Sequence, residues 1–151
     1  MKLDITEIQT PCYVVDAEAI EDNLRVLEGV QRRTGCKILM ALKGFAMFSL
    51  FPLIRRCLHG VAASSLHEAR LGYEEFGKEV HVFSPAYRKE ELSKILEYGD
   101  HIIFNSFSQW NRFKSVVFQH EKKVSCGIRV NPEHSEVKVS IYDPCGPFSR
   151  L

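Results

Sequence analysis

Short apolar runs that end in a polar residue alternate along this chain with amphipathic helical stretches. The runs end at Lys43, Ser64, Ser84, Asn105 and Arg129, about 20 to 24 residues apart. Lys37 to Leu42, Val61 to Ala63, Val80 to Phe83, His101 to Phe104 and Val124 to Val130 read as buried strands. Helix signals fill the gaps. Asp16 is a good N-cap ahead of Ile20, Leu24, Leu27 and Val30, which share one helical face. Phe48 to Leu58 suits a helix with Pro52 in its first turn. Ser65 with Glu68, and Ser106 with Gln109, have capping-box spacing. Gly77 and Gly99 supply helix stops.

Strands alternating with helices predict an α/β fold with a parallel sheet. Neither G-x-G-x-x-G nor G-x-x-x-x-G-K-[ST] occurs, so a (β/α) barrel is favoured over a dinucleotide fold. A closed barrel takes eight strands and typically about 250 residues. The 151 residues supply about five strand–helix units. The expectation is a partial (β/α)8 TIM barrel from the N-terminal part of a longer protein. Residues 1–33 are expected to form a lead-in strand and helix, and residues 34–151 an incomplete barrel domain. The tail from Pro132 onward, with Pro144, Gly146 and Pro147, suits a lid or a partner contact.

Twenty basic and nineteen acidic residues are interspersed, for a net charge of +1, which predicts neither nucleic acid nor an anionic membrane as partner. The apolar run from Phe45 to Ile54 is far shorter than a membrane span needs. Five cysteines without a C-x-x-C pair suggest reduced thiols in a cytoplasmic protein. The six histidines show no zinc-ligand spacing along the chain, so no metal site is expected.

In a barrel, chemistry gathers at the C-terminal ends of the strands. Lys43 follows an apolar strand there. A partly desolvated lysine can form a Schiff base with an aldehyde cofactor; the alternative reading is a solvated strand terminus. Arg129 suits either a donor to a phenolate or phosphate oxygen or a structural ion pair at the rim. Ser64 and Asn105 occupy equivalent strand ends, while Ser65 and Ser106 read first as helix caps. His67 reads as a half-exposed helical histidine.

Several segments also carry a family resemblance. Thr10-Pro-Cys-Tyr-Val-Val-Asp16, Ala41-Leu-Lys-Gly-Phe45, Ala63-Ser-Ser-Leu-His-Glu-Ala69 and Gly127-Ile-Arg-Val-Asn-Pro132 resemble the fold-III pyridoxal-phosphate enzymes of the alanine-racemase and ornithine-decarboxylase class. Glu68-Ala-Arg-Leu-Gly-Tyr-Glu-Glu-Phe-Gly77, Ser84-Pro-Ala-Tyr87, Phe104-Asn-Ser-Phe-Ser-Gln-Trp110 and Tyr142-Asp-Pro-Cys145 bring it close to the carboxynorspermidine (carboxyspermidine) decarboxylase branch. The resemblance implies that Lys43 is the catalytic, cofactor-holding lysine, with Ser64 and Arg129 beside the pyridoxal 5'-phosphate. It further implies a carboxylated polyamine substrate, a homodimer, and a second, β-rich domain beyond the barrel. Many relatives have Lys-Ala-Asn where this chain has Lys43-Gly44-Phe45, which argues against ornithine as substrate. Diaminopimelate or arginine/ornithine-type decarboxylation, and a non-catalytic cofactor-binding regulator, are the competing readings.

Overall fold

The computed structural model describes residues 4–146 and residue 149. Five strands, β1 (Leu39–Ala41), β2 (Gly60–Ala63), β3 (Glu79–Phe83), β4 (His101–Phe104) and β5 (Ser125–Ile128), form one parallel sheet in the order β1-β2-β3-β4-β5. The order never reverses, so there is no switch point of the doubly wound kind. Successive crossovers instead keep their helices on one face, as in a barrel wall.

Side-chain alternation confirms this. Met40, Val61, Ala63, Val80, Val82, Ile102 and Phe104 are buried with Phe51, Phe76, Leu92, Ile95, Leu96 and Phe113 from the helical layer. Their strand neighbours Leu39, Ala62, His81, Phe83, His101 and Ile103 face the other way and are half-buried. The core therefore sits on one side of the sheet, and the opposite side is the barrel's inner face.

The helices are α1 (Ala17–Thr34), α2 (Phe51–Ile54), α3 (Leu66–Leu71), α4 (Lys89–Tyr98) and α5 (Phe107–Gln119). Asp16 caps α1 by accepting from the Ala19 N–H. The Ser65 and Ser106 hydroxyls cap α3 and α5 by accepting from Glu68 and Gln109. Helix α2 has only four residues, with Pro52 in its first turn, and a 3-10 turn at Phe48–Leu50 precedes it. A π-helical turn, Gly72–Phe76, extends α3 and stops at Gly77 (φ 67°). Gly72 lets this turn lie on the sheet: a Cβ there would come within 2.4 Å of Val61 Cγ2.

One expectation needs correction. The lead-in strand does not form: Cys12 to Val15 is irregular, and Tyr13 and Val14 stand exposed with no ladder partner among the described residues. A strand exists only through pairing, and no edge reaches this segment. Ile20, Leu24 and Leu27 of α1 pack on the common core. Gln31, one turn from the end of α1, accepts from the Ile38 N–H (2.9 Å) and donates to Cys57 O (3.2 Å). The alternating stretch from Val137 to Ile141 forms no strand and leads into a 3-10 turn, Ser140–Tyr142. Pro147, Phe148, Arg150 and Leu151 lie outside the described residues.

Tyr87 ties the ends of β3 and β4 together. Its buried hydroxyl accepts from the Ser84 N–H (3.0 Å) and donates to Ile103 O (3.0 Å), and burial raises its pKa to about 12. Tyr87→Phe keeps the ring contact with Phe104 but leaves both backbone groups without this partner. The expected cost is about 1–3 kcal/mol, read from the urea unfolding midpoint.

Candidate functional site

Chain register places the candidate residues on the inner face. Ala41 pairs Ala62, Ala62 pairs His81, His81 pairs His101 and His101 pairs Ser125, so these five make one row across the sheet. Two residues further along each strand come Lys43, Ser64, Phe83, Ile103 and Gly127. This second row lies toward the C-terminal ends, where a barrel builds its sites.

Lys43 sits in the turn that leaves β1. The Leu42 N–H still donates to Ala62 O (3.0 Å), then the Gly44 and Phe45 N–H groups both turn back to Ala41 O (3.0 and 3.1 Å). This fixes the backbone on either side of Lys43. The side chain is exposed and makes no hydrogen bond or ion pair among the described residues. Lys43 and Ser64 meet on one cavity of about 320 Å³, with Ala41, Ala62, His81 and Phe83 in its wall. That volume is at the low end for a small-molecule site. The two alanines keep the wall next to Lys43 low and apolar.

The end of β2 is held by its own helix cap. The Ser64 N–H donates to Glu68 Oε2 at 2.7 Å, while Ser65 supplies the N-cap hydroxyl. The Ser64 side chain is thereby left available to the cavity. Asn105 and Gln109 repeat the arrangement on β4, the Asn105 N–H donating to Gln109 Oε1 (2.7 Å). Arg129 follows β5, its N–H donating to Phe104 O (2.9 Å). It lies at the same end of the sheet but does not line the Lys43 cavity. Its guanidinium forms no ion pair among the described residues, so the rim-salt-bridge alternative is not realised there. The C-terminal rim thus presents a primary amine, a hydroxyl and a guanidinium, a set suited to a carbonyl and an anionic oxygen.

Sequence reasoning missed Glu79, His81 and His101. His81 lines the Lys43 cavity, and its Nε2 lies 3.2 Å from Glu79 Oε2. Its ring stacks on His101 (centroids 4.0 Å, 14° between planes). Lys37 binds the other Glu79 oxygen. The signal was the alternation in Glu79-Val-His-Val-Phe83, where valines point to the core and polar residues away. Hydrogen bonds from Lys37 and then His81 hold the Glu79 carboxyl down at about 2. A folded-state value below the ordinary 4.5 contributes stability that is full above pH 4.5 and is lost as pH falls toward 2. Lys37→Met is expected to flatten that part of the stability profile, lowering stability modestly above pH 4.5, pH 7 to 8 included, and leaving it unchanged near pH 2, as read from urea midpoints at each pH.

No family model matches the chain. It is 44% identical over 147 residues to a carboxyaminopropylagmatine decarboxylase of Synechocystis sp., covering 97% of this chain and 38% of that protein. It is 42% identical to the carboxynorspermidine/carboxyspermidine decarboxylase of Herminiimonas arsenicoxydans, covering 95% of this chain and 38% of the relative. Among solved structures, carboxynorspermidine decarboxylase from Campylobacter jejuni, complexed with norspermidine, superposes with a TM-score of 0.83 at 35% identity. That match covers 95% of this chain and 35% of the other. A D-threonine aldolase from Filomicrobium marinum, at 12% identity and TM-score 0.74, shares the fold. The structure is therefore an α/β, partial TIM-barrel wall of five parallel strands. Along nearly its whole length the chain is similar to proteins named as carboxyaminopropylagmatine and carboxynorspermidine/carboxyspermidine decarboxylases, and it spans a little over a third of their length.

Proposed function

We propose that this chain is the lysine-bearing barrel segment of a pyridoxal 5'-phosphate-dependent decarboxylase acting on a carboxylated polyamine. The observation that carries the reading is the unpaired Lys43 at the end of β1, on the lip of a small cavity, in a chain whose relatives are named as carboxynorspermidine/carboxyspermidine decarboxylases. The residues present fit the cofactor. Lys43 offers a free primary amine for an aldehyde, Ser64 a hydroxyl, and Arg129 a guanidinium for a phenolate or phosphate oxygen. When bound, pyridoxal phosphate supplies an electron sink for the charge left behind as carbon dioxide departs. The chain's own residues anchor and orient. The turn after β1 fixes the backbone at the lysine, the Glu68 cap fixes the end of β2, and Ala41 and Ala62 give the cavity beside the amine an apolar wall.

The names of the relatives share a carboxyl on a polyamine or on aminopropylagmatine. Carboxynorspermidine and carboxyspermidine are the substrates we assign, giving norspermidine and spermidine. Carboxyaminopropylagmatine is a second reading, favoured by the 44% identity to the Synechocystis protein. We place the full-length protein in the cytoplasm as a homodimer. No helix among the described residues is long and apolar enough to cross a membrane.

The test is carbon dioxide release by the full-length gene product with pyridoxal phosphate, on carboxynorspermidine, carboxyspermidine, carboxyaminopropylagmatine, diaminopimelate, ornithine and arginine. Turnover of the first two at the highest kcat/KM is expected. Preference for carboxyaminopropylagmatine would move the second reading to first place. Activity on diaminopimelate alone would refute the polyamine assignment, and cofactor binding without any turnover would favour a regulatory relative.

A further inference from the structure

The inner face holds a second constellation that the decarboxylase reading does not use. Glu79 opens β3, His81 follows two residues later on the same face, and register sets His101 of β4 beside His81. One ligand atom from each of the three lies within 4.8 Å of the others. Glu79 Oε2 already faces His81 Nε2 at 3.2 Å. The His101 ring stacks on His81 and makes no hydrogen bond among the described residues. A half-buried imidazole without a hydrogen-bond partner, next to a histidine–carboxylate pair, is a donor set waiting for a cation.

We propose that Glu79, His81 and His101 form a binding site for a zinc-class divalent cation, clamping β3 to β4 beneath the Lys43 cavity. Two imidazoles and one carboxylate are the donors that zinc and its first-row neighbours take, usually with water in a fourth position. Magnesium and calcium prefer all-oxygen sets and fit poorly. Tetrahedral zinc with bonds of about 2.0–2.2 Å needs donor atoms about 3.4 Å apart. The Glu79–His81 pair is already that close. His101 must turn its ring out of the stack to aim a nitrogen, and its half-exposed position leaves room for this.

Lys37 is the opposing group. It occupies Glu79 Oε1, the oxygen turned away from His81, and its side chain is 57% exposed. It can remain there as an outer partner of a ligating carboxylate. Its positive charge nonetheless weakens cation binding, which gives the proposal a gain-of-affinity test. The ion takes no part in the decarboxylation. It braces the floor of the cavity, since His81 belongs both to this cluster and to that wall.

The experiment titrates the chelator-stripped full-length protein with Co²⁺ by absorption and with Zn²⁺ by calorimetry, with cofactor absent. One ion per chain is expected, with ligand-field bands and no thiolate charge-transfer band. His101→Ala and His81→Ala should abolish binding, while Lys37→Met should tighten it about tenfold. That gain cannot come from misfolding, so it protects the test against unstable histidine variants. Binding unaffected by both histidine changes, a thiolate band alone, or no binding below millimolar ion would overturn the proposal. None of these results bears on Lys43, so failure here leaves the decarboxylase reading standing.

Discussion

Lys43→Ala is expected to bring decarboxylation by the full-length protein to background and to abolish cofactor attachment, with almost no effect on folding. The reason is the contrast between what this side chain offers and what it holds. It is exposed, lies past the last ladder hydrogen bond of β1, and has no partner among the described residues. Surface substitutions of that kind usually change stability by less than about 0.5 kcal/mol. Lys43→Arg keeps the charge but not a nucleophilic primary amine, and should not restore activity. Cofactor absorbance, carbon dioxide release and the urea midpoint, measured on one preparation, separate this from a structural role. A large loss of stability in Lys43→Ala would point to a structural lysine instead.

The second large effect lies on the other side of the sheet. Phe104→Ala is expected to cost about 3–5 kcal/mol, a substantial share of the roughly 5–15 kcal/mol that holds a domain of this kind together. Phe104 is fully buried at the end of β4. It stands edge-on to Tyr87 (5.8 Å) and to Trp110 (5.3 Å), so it joins the β3 end, β4 and α5. Its removal opens a cavity that neither neighbour can fill without giving up that geometry. Phe107→Ala, three residues on and 71% exposed, is the control and should shift the urea midpoint by less than about 0.5 kcal/mol.

How legible this was depends on where the signal resides. Caps and stops are local chemistry, so Asp16, Ser65, Ser106 and Gly77 were readable one by one, and each does in space what its spacing implied. The strand ends followed, and with them the neighbourhood of Lys43 and Ser64. Features that need a partner were not readable. Cys12 to Val15 has strand-like residues, yet no edge reaches it. Gly72 reads as a flaw in a helix until the close approach to Val61 is seen. The histidines 81 and 101 are twenty positions apart and resemble no ligand motif, because parallel register, not sequence spacing, brings them together. Arg129 is intermediate: its strand end was legible, but its distance from the Lys43 cavity was not.

The central claim is that Lys43 holds the cofactor. The most direct measurement is to load the full-length protein with pyridoxal phosphate, reduce with borohydride, digest, and locate the labelled lysine by peptide mass. The account predicts stable label on the peptide containing Lys43 and on no other. Label on a different lysine, or none on a folded protein, would contradict it.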